Sequence, residues 1–174
     1  LADEAYLKEA DSIAKLITKN NTAKNLTRLF LIRERIKSFA KANKDTIKNV
    51  HVIGAGVMGG DIAAWCALHD LHVTLQDQDY AKIAPAIARA YKLYKKRLRK
   101  PRLVQAAMDK LTPDQNGNGI KNADIIIEAV FEDISVKQEI FTHIEKNAKK
   151  DAILASNTSS IPLNEISKVM QKPE

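Results

Sequence analysis

A glycine-rich segment follows a short strand-like run in this 174-residue chain. It is Gly54-Ala55-Gly56-Val57-Met58-Gly59 and fits the pattern G-x-G-x-x-G. Alone the pattern is a weak signal, because three glycines in six residues recur by chance. Here it comes directly after the apolar residues 50–53, and Asp77 closes the next apolar run. A strand, a glycine turn, a helix and an acid about 20 residues later are together typical of a dinucleotide-binding α/β fold.

Each glycine of this motif has a distinct predicted role. Gly54 permits a tight turn, Gly56 lets the backbone approach a pyrophosphate, and Gly59 allows close packing of the helix. The amides at the start of that helix, around Val57 and Met58, are expected to hold the phosphates with the help of the helix dipole.

The acid at the end of the second strand indicates which cofactor binds. Asp77 lies 23 residues beyond Gly54. Its carboxylate is suited to accept hydrogen bonds from both ribose hydroxyls of NAD, and it would repel the additional phosphate of NADP. Its sequence neighbours are Gln76 and Gln78, and no arginine adjoins it. We therefore predict NAD as the cofactor.

Apolar strand-like runs alternate with helical patterns after residue 47, which predicts a Rossmann-type, doubly wound parallel sheet in an α/β fold. The predicted strands are residues 48–53, 72–75, 123–129 and 152–155, with a weak third strand near Leu111. The predicted helices are residues 81–100 and 136–149, a helix after the glycine turn, and a last helix from about Leu163.

Residues 1–46 have a different pattern. Residues 1–45 contain neither glycine nor proline, and Leu26, Leu29, Phe30 and Ile36 recur at helical spacing. Two amphipathic helices without a sheet cannot form a core alone, so this segment is predicted to be an α-helical linker that packs on another domain. The predicted domains are therefore a linker over 1–46 and a nucleotide-binding domain over 47–174.

Composition and charge narrow the functional classes. The net charge of +7 is carried largely by residues 92–102 and by the first fifty residues, and solvated helix faces account for it best. No nucleic-acid reading motif or stacking aromatic pattern accompanies the charge, so we expect no nucleic-acid partner. No apolar run approaches the ~20 residues of a membrane span. The single cysteine, Cys66, fits a reducing compartment, and we predict a cytoplasmic protein.

Three motifs together resemble the NAD-binding half of the 3-hydroxyacyl-CoA dehydrogenases. They are the glycine segment extended to Gly60, residues 127–133 (Ile-Glu-Ala-Val-Phe-Glu-Asp) with Lys137 following, and residues 155–160 (Ala-Ser-Asn-Thr-Ser-Ser). They occur in the family's order and spacing, over residues 47–167. Residues 23–26, with Phe30 following, resemble the helix that joins an enoyl-CoA hydratase domain to the dehydrogenase in multifunctional fatty-acid oxidation proteins.

The resemblance implies a role for each matching position. It implies that Val130, Phe131 and Glu132 line the nicotinamide side, that Lys137 reaches the nicotinamide ribose, and that Ser159 contacts the nicotinamide end and the 3-hydroxyl of the substrate. Glu132 and Ser159 are therefore the catalytic candidates in this chain. Without the motifs, Glu132 would be interpreted as an exposed loop carboxylate and Ser159 as a helix-capping hydroxyl. No metal is implied.

The same resemblance implies the partners. They are a 3-hydroxyacyl-CoA substrate, an upstream hydratase domain in cis and a thiolase subunit. Ser159 is one implied substrate contact. The basic residues 92–100 are implied to lie near the coenzyme A part of the substrate, with Lys100 as a candidate contact. A solvated helix face is the simpler interpretation of these basic residues.

The resemblance also implies a catalytic histidine in a His-Phe-Phe-Asn-Pro segment beyond the last residue, so we expect this chain alone to bind NAD without turnover. The histidines present are predicted to lie in a strand, around a turn and within a helix: His51, His69, His72 and His143. Two alternatives stay open at this stage. One is a short-chain 3-hydroxybutyryl-CoA or hydroxy-acid dehydrogenase, and the other is a non-catalytic NAD-binding or assembly module.

Overall fold

The computed structural model describes residues 2–19, 21–41 and 47–171. Its contacts divide the chain into two units, Leu1–Asp45 and Thr46–Glu174. The predicted domain boundary after residue 46 adjoins residues 42–46, which lie outside the described residues, and it stays a prediction. Among the helices of the described residues, none is long and apolar enough to cross a membrane.

The first unit consists of two helices, α1 (Ala2–Lys19) and α2 (Asn21–Lys41). They contact each other, and the absence of glycine and proline from this segment suits long helices. Leu26, Leu29 and Phe30 on α2 remain about 60% exposed. The two helices therefore do not bury the apolar side of α2 against each other.

The second unit is built on a five-stranded sheet in which every pairing is parallel. The strand order is β3-β2-β1-β4-β5, which confirms the predicted doubly wound topology. The chain builds the sheet outward from β1 in one direction and then crosses to its other side, so β1 and β4 flank the switch point where such sheets bind ligands. The strands are β1 (Asn49–Ile53), β2 (His72–Gln76), β3 (Leu111–Pro113), β4 (Ile125–Glu128) and β5 (Ile153–Ser156).

Helices cover both faces of the sheet. One face packs against α3, α4 and α5 around Val52, Leu75 and Tyr94, whereas the other packs against α6 and a 3₁₀ turn around Ile126 and Ile144. The helix bounds are α3 (Val57–Leu68), α4 (Tyr80–Leu98), α5 (Pro101–Met108), α6 (Ile134–Asn147) and α7 (Leu163–Ser167), and the 3₁₀ turn is Ile120–Asn122.

The predicted helix over 81–100 is wrong at its carboxyl end. It stops at Leu98, because Arg99 adopts a left-handed conformation with φ of 57° and Pro101 begins a new helix as its first residue.

The predicted start of α6 is also two residues late. Asp133 caps that helix by accepting a hydrogen bond from the backbone amide of Val136, so the helix begins at Ile134.

A buried histidine lies in the central strand. His51 is fully buried, with Nδ1 at 2.7 Å from Thr74 Oγ1 and Nε2 at 2.8 Å from Gln76 Oε1. Gly119 closes over this group so tightly that a Cβ there would lie 2.1 Å from Thr74 Oγ1. Burial lowers the pKa of His51 below its ordinary 6.5, although the hydrogen bond that the ring donates to Gln76 and the charge of Asp114 oppose this shift.

The position of His51 predicts acid sensitivity. Because the folded state disfavours the protonated ring, the unfolded chain binds more protons below pH about 6.5, and the unfolding free energy should fall on acidification. Between pH about 7.5 and about 5 we expect part of the unfolding free energy to be lost through protonation of this residue in the unfolded chain, measured by urea denaturation. The His51→Asn variant should show a flatter pH profile, whereas His143→Asn, on the exposed surface of α6, should not. Parallel profiles for all three proteins would contradict the prediction.

Candidate functional site

The glycine turn joins β1 to α3 and leaves open space beside Gly56, directly before the helix begins. Gly54 has a φ of 105°, and a Cβ there would lie 2.5 Å from the carbonyl oxygen of Ala129. A Cβ on Gly59 would lie 1.9 Å from the carbonyl oxygen of Gly54. By contrast, a Cβ on Gly56 would have no neighbour within 4 Å. Gly54 and Gly59 are thus required by the packing, and Gly56 faces open space of the kind that a pyrophosphate needs.

The amino end of α3 presents the charge pattern that anions prefer. The first amides of a helix have no partner within it, and the helix dipole adds partial positive charge there. Val57 and Met58, in this first turn, are 66% and 58% exposed. Arg89 of α4 donates from Nη2 to the carbonyl oxygen of Gly56 at 3.0 Å. Arg89 could not be selected from the sequence alone, because its partner Gly56 lies 33 residues away.

Asp77, directly after β2, is held against the same turn. Its Oδ2 accepts a hydrogen bond from the backbone amide of Ala55 at 2.8 Å, and its Oδ1 accepts one from the amide of Gln78 at 2.8 Å. The side chain is 15% exposed, and Lys82 Nζ lies 3.7 Å from Oδ1. The carboxylate is therefore oriented beside the glycine turn, as the ribose-binding acid of this fold must be. The sequence analysis did not predict Lys82 as a neighbour of Asp77, because the two residues are not adjacent in the chain.

The loops after β4 and β5 meet at the same edge of the sheet. Glu132 accepts hydrogen bonds from the hydroxyls of Thr158 and Ser160, the latter at 2.8 Å. Phe131 beside it is 68% exposed, and Val130 is half-buried. Glu132 of the predicted nicotinamide side is thus brought together with the Asn-Thr-Ser loop. Ser159 lies between Thr158 and Ser160 in the sequence and is exposed.

The hydrogen bonds to Glu132 define its chemistry. The hydrogen bond from Thr158 lowers the pKa of the Glu132 carboxyl most, followed by the one from Ser160 and, with a smaller effect, the one from Lys137. Together they bring this pKa to about 2. A general base works best when its pKa is near the operating pH. Glu132 is therefore suited to accept hydrogen bonds as a permanent anion, and it is poorly suited to take up a proton near neutral pH.

Lys137 lies in the interior, and its predicted contact with the nicotinamide ribose stays a prediction. Its side chain is fully buried, and Nζ lies 2.7 Å from Glu128 Oε1 and 3.2 Å from Glu132 Oε2. Glu128 is equally buried at the end of β4, and it also binds Ser156 at the end of β5. Sequence reasoning selected Lys137 and missed Glu128 and Ser156. A carboxylate at the end of an otherwise apolar strand was the sequence feature that could have indicated Glu128.

Lys100 is not brought together with these residues. Helix α4 runs alongside α3 away from the glycine turn, as the stacking of Arg97 on Trp65 near the end of α3 shows. Lys100 follows the end of α4 and is exposed, so its predicted contact with coenzyme A stays a prediction. In the described part of the chain, no group of three His, Cys, Asp or Glu side chains has the arrangement of a metal site.

Comparison with known proteins identifies the family of the second unit. The family model for the 3-hydroxyacyl-CoA dehydrogenase NAD-binding domain matches residues 49–174. The fatty acid oxidation complex subunit alpha of Pseudomonas entomophila (strain L48) is 37% identical over 179 aligned residues, covering 99% of this chain and 25% of that protein. The chain thus spans about a quarter of the length of the curated relatives it matches.

Solved structures resemble a smaller part of the chain. The 3-hydroxybutyryl-CoA dehydrogenase of Escherichia coli K12 aligns with a TM-score of 0.70 and 28% identity, over 74% of this chain and 28% of that one. The (S)-3-hydroxybutyryl-CoA dehydrogenase PaaH1 of Ralstonia eutropha aligns with a TM-score of 0.68 and 30% identity, over 74% of this chain and 47% of that one.

Proposed function

Because the chain belongs to the family of 3-hydroxyacyl-CoA dehydrogenase NAD-binding domains, we propose that it is the cofactor-binding part of an enzyme that oxidises 3-hydroxyacyl-CoA to 3-ketoacyl-CoA. The observation that carries this proposal is the glycine turn, in which Gly56 faces open space while Asp77 is anchored to Ala55. NAD, when bound, supplies the acceptor for the hydride that leaves C3 of the substrate.

The candidate residues then divide between the two halves of the cofactor. Gly54, Gly56, Val57, Met58 and Gly59 form the pyrophosphate cradle, and Asp77 accepts hydrogen bonds from the adenosine ribose. The nicotinamide half faces residues 130–132 and Ser159, and the fully buried Lys137 contacts Glu132 of this group. We propose that Glu132 and Ser159 orient the reacting groups through hydrogen bonds, since the low pKa of Glu132 disfavours a proton-accepting role.

The parent protein is proposed to be the alpha subunit of a fatty-acid oxidation complex. Similarity to such a subunit extends over 99% of the chain, so it includes the helices that precede the nucleotide-binding domain. This extent supports the multifunctional parent, with a hydratase domain in cis and a thiolase partner, over the short-chain enzyme. The cytoplasm is the compartment that suits its unpaired Cys66.

Calorimetric titration of the 174-residue chain with NAD and NADP tests the proposal. We expect binding of NAD and at least about tenfold weaker binding of NADP, because Asp77 opposes a second phosphate at the ribose. The Asp77→Ala variant should bind NAD about tenfold more weakly. Asp109→Ala, at the end of α5, is the control and should bind like the wild type. Absence of NAD binding to the folded wild-type chain would contradict the proposal.

A further inference from the structure

A buried carboxylate lies directly beneath the candidate nicotinamide side. Glu128 is the last residue of β4 and has no exposed surface. Its backbone carbonyl accepts a hydrogen bond from the amide of Asn157 at 2.7 Å, which pairs the end of β4 with the loop after β5. Burying a charge is costly unless every oxygen is compensated, so the partners of this side chain indicate why it is present.

Both carboxylate oxygens of Glu128 are occupied. Oε1 accepts hydrogen bonds from the backbone amide of Val130 at 2.8 Å and from Lys137 Nζ at 2.7 Å. Oε2 accepts one from Ser156 Oγ at 2.5 Å. These donors belong to the loop after β4, to α6 and to the end of β5. One side chain therefore connects the three segments that carry the proposed nicotinamide-side residues.

This connection reaches the edge of the site through Lys137. Its Nζ bridges Glu128 to Glu132 Oε2 at 3.2 Å, and Glu132 in turn holds the hydroxyls of Thr158 and Ser160. A buried ion pair contributes little net stability compared with apolar residues of the same volume. Its value here is geometric, because it fixes the direction of Lys137 and of the amide at Val130.

We propose that Glu128 is a positioning residue for the nicotinamide half of the cofactor site. It acts through Lys137, Val130 and Ser156 and does not itself touch the cofactor. The proposal rests on the proposed function, since it presupposes that NAD binds at this edge of the sheet. It predicts that loss of the Glu128 charge weakens contacts to the nicotinamide half and spares the adenosine diphosphate half, which binds at the glycine turn and Asp77.

Titration with two ligands separates these halves. The 174-residue chain and its Glu128→Gln variant are titrated with NAD and with ADP, which lacks the nicotinamide and its ribose. We expect the dissociation constant of NAD to rise about tenfold in the variant, and that of ADP to change less than about twofold. A general loosening of the domain would weaken both ligands equally, and that result would overturn the proposal.

A matched control lies at the other end of the same strand. Asp124 precedes β4, accepts hydrogen bonds from the amides of Lys48 and Asn49, and pairs with Lys149 at 2.6 Å. The Asp124→Asn variant loses a carboxylate–lysine pair of similar length at the edge away from the site, where the two side chains are 22% and 35% exposed. We expect it to lower thermal stability and to leave the ratio of NAD to ADP affinity unchanged. An equal fall of this ratio in both variants would also overturn the positioning role.

A second variant serves if Glu128→Gln does not fold. Ser156→Ala removes only the hydrogen bond to Oε2 and should weaken NAD about threefold with ADP unaffected. If the wild type binds NAD no better than ADP, the nicotinamide side contributes nothing, which overturns the positioning role and leaves nucleotide binding intact. If the wild type binds neither ligand, the proposed function fails and the positioning role fails with it.

Discussion

Replacing Gly56 with alanine is expected to leave the domain folded and to weaken NAD binding about a hundredfold, or about 2.7 kcal/mol. The backbone at Gly56 has a φ of −57°, which any residue adopts, and a Cβ there meets no protein atom within 4 Å. The free energy of unfolding should therefore be unchanged or slightly raised. The new methyl group would instead occupy the space proposed for the pyrophosphate. Calorimetry and urea denaturation of the same preparation measure both effects.

Gly59→Ala is the matched comparison for this experiment. A Cβ on Gly59 would lie 1.9 Å from the backbone carbonyl of Gly54, so α3 must move away from the turn. We expect a loss of at least about 2 kcal/mol of unfolding free energy, together with the loss of binding. The contrast between the two variants separates a ligand contact from a packing requirement. Unaltered NAD affinity in Gly56→Ala would place the pyrophosphate elsewhere.

Replacing Lys137 with methionine should lower the free energy of unfolding by about 3–5 kcal/mol, measured by urea denaturation. Lys137 and Glu128 are both fully buried and lie 2.7 Å apart, so removal of the cation leaves a carboxylate without a counter-charge in the interior. The double variant Lys137→Met/Glu128→Gln removes both charges and should recover most of the loss, because neutral groups of similar volume replace a buried ion pair at little cost.

An exposed lysine provides the control for that series. Lys168 pairs with Glu165 at 2.6 Å, and its side chain is 62% exposed. Lys168→Met should change the unfolding free energy by less than about 0.5 kcal/mol, because solvent screens exposed pairs. A loss below about 1 kcal/mol for Lys137→Met would mean that the interior at Glu128 is more polar than the structure indicates.

Local sequence patterns were enough to predict the sheet. Apolar runs such as Ile125–Glu128, separated by helical spacing, predicted a doubly wound parallel fold, and the observed strand order confirms it. Helix ends were predicted less well, because they depend on single capping and turn residues. Arg99 ends α4 in a left-handed conformation, and Asp133 starts α6 through one side-chain hydrogen bond.

The sequence by itself determined the fold class, the glycine turn and the position of Asp77, because these depend on contiguous residues and on periods of two and 3.6. Only the tertiary structure decided which side chains meet at the edge of the sheet. Lys137 and Glu128 come from α6 and β4, and Ser156, 28 residues from Glu128, comes from β5. Parallel strands bring such distant residues together at one edge, and this proximity has no signature in the spacing of residues along the chain.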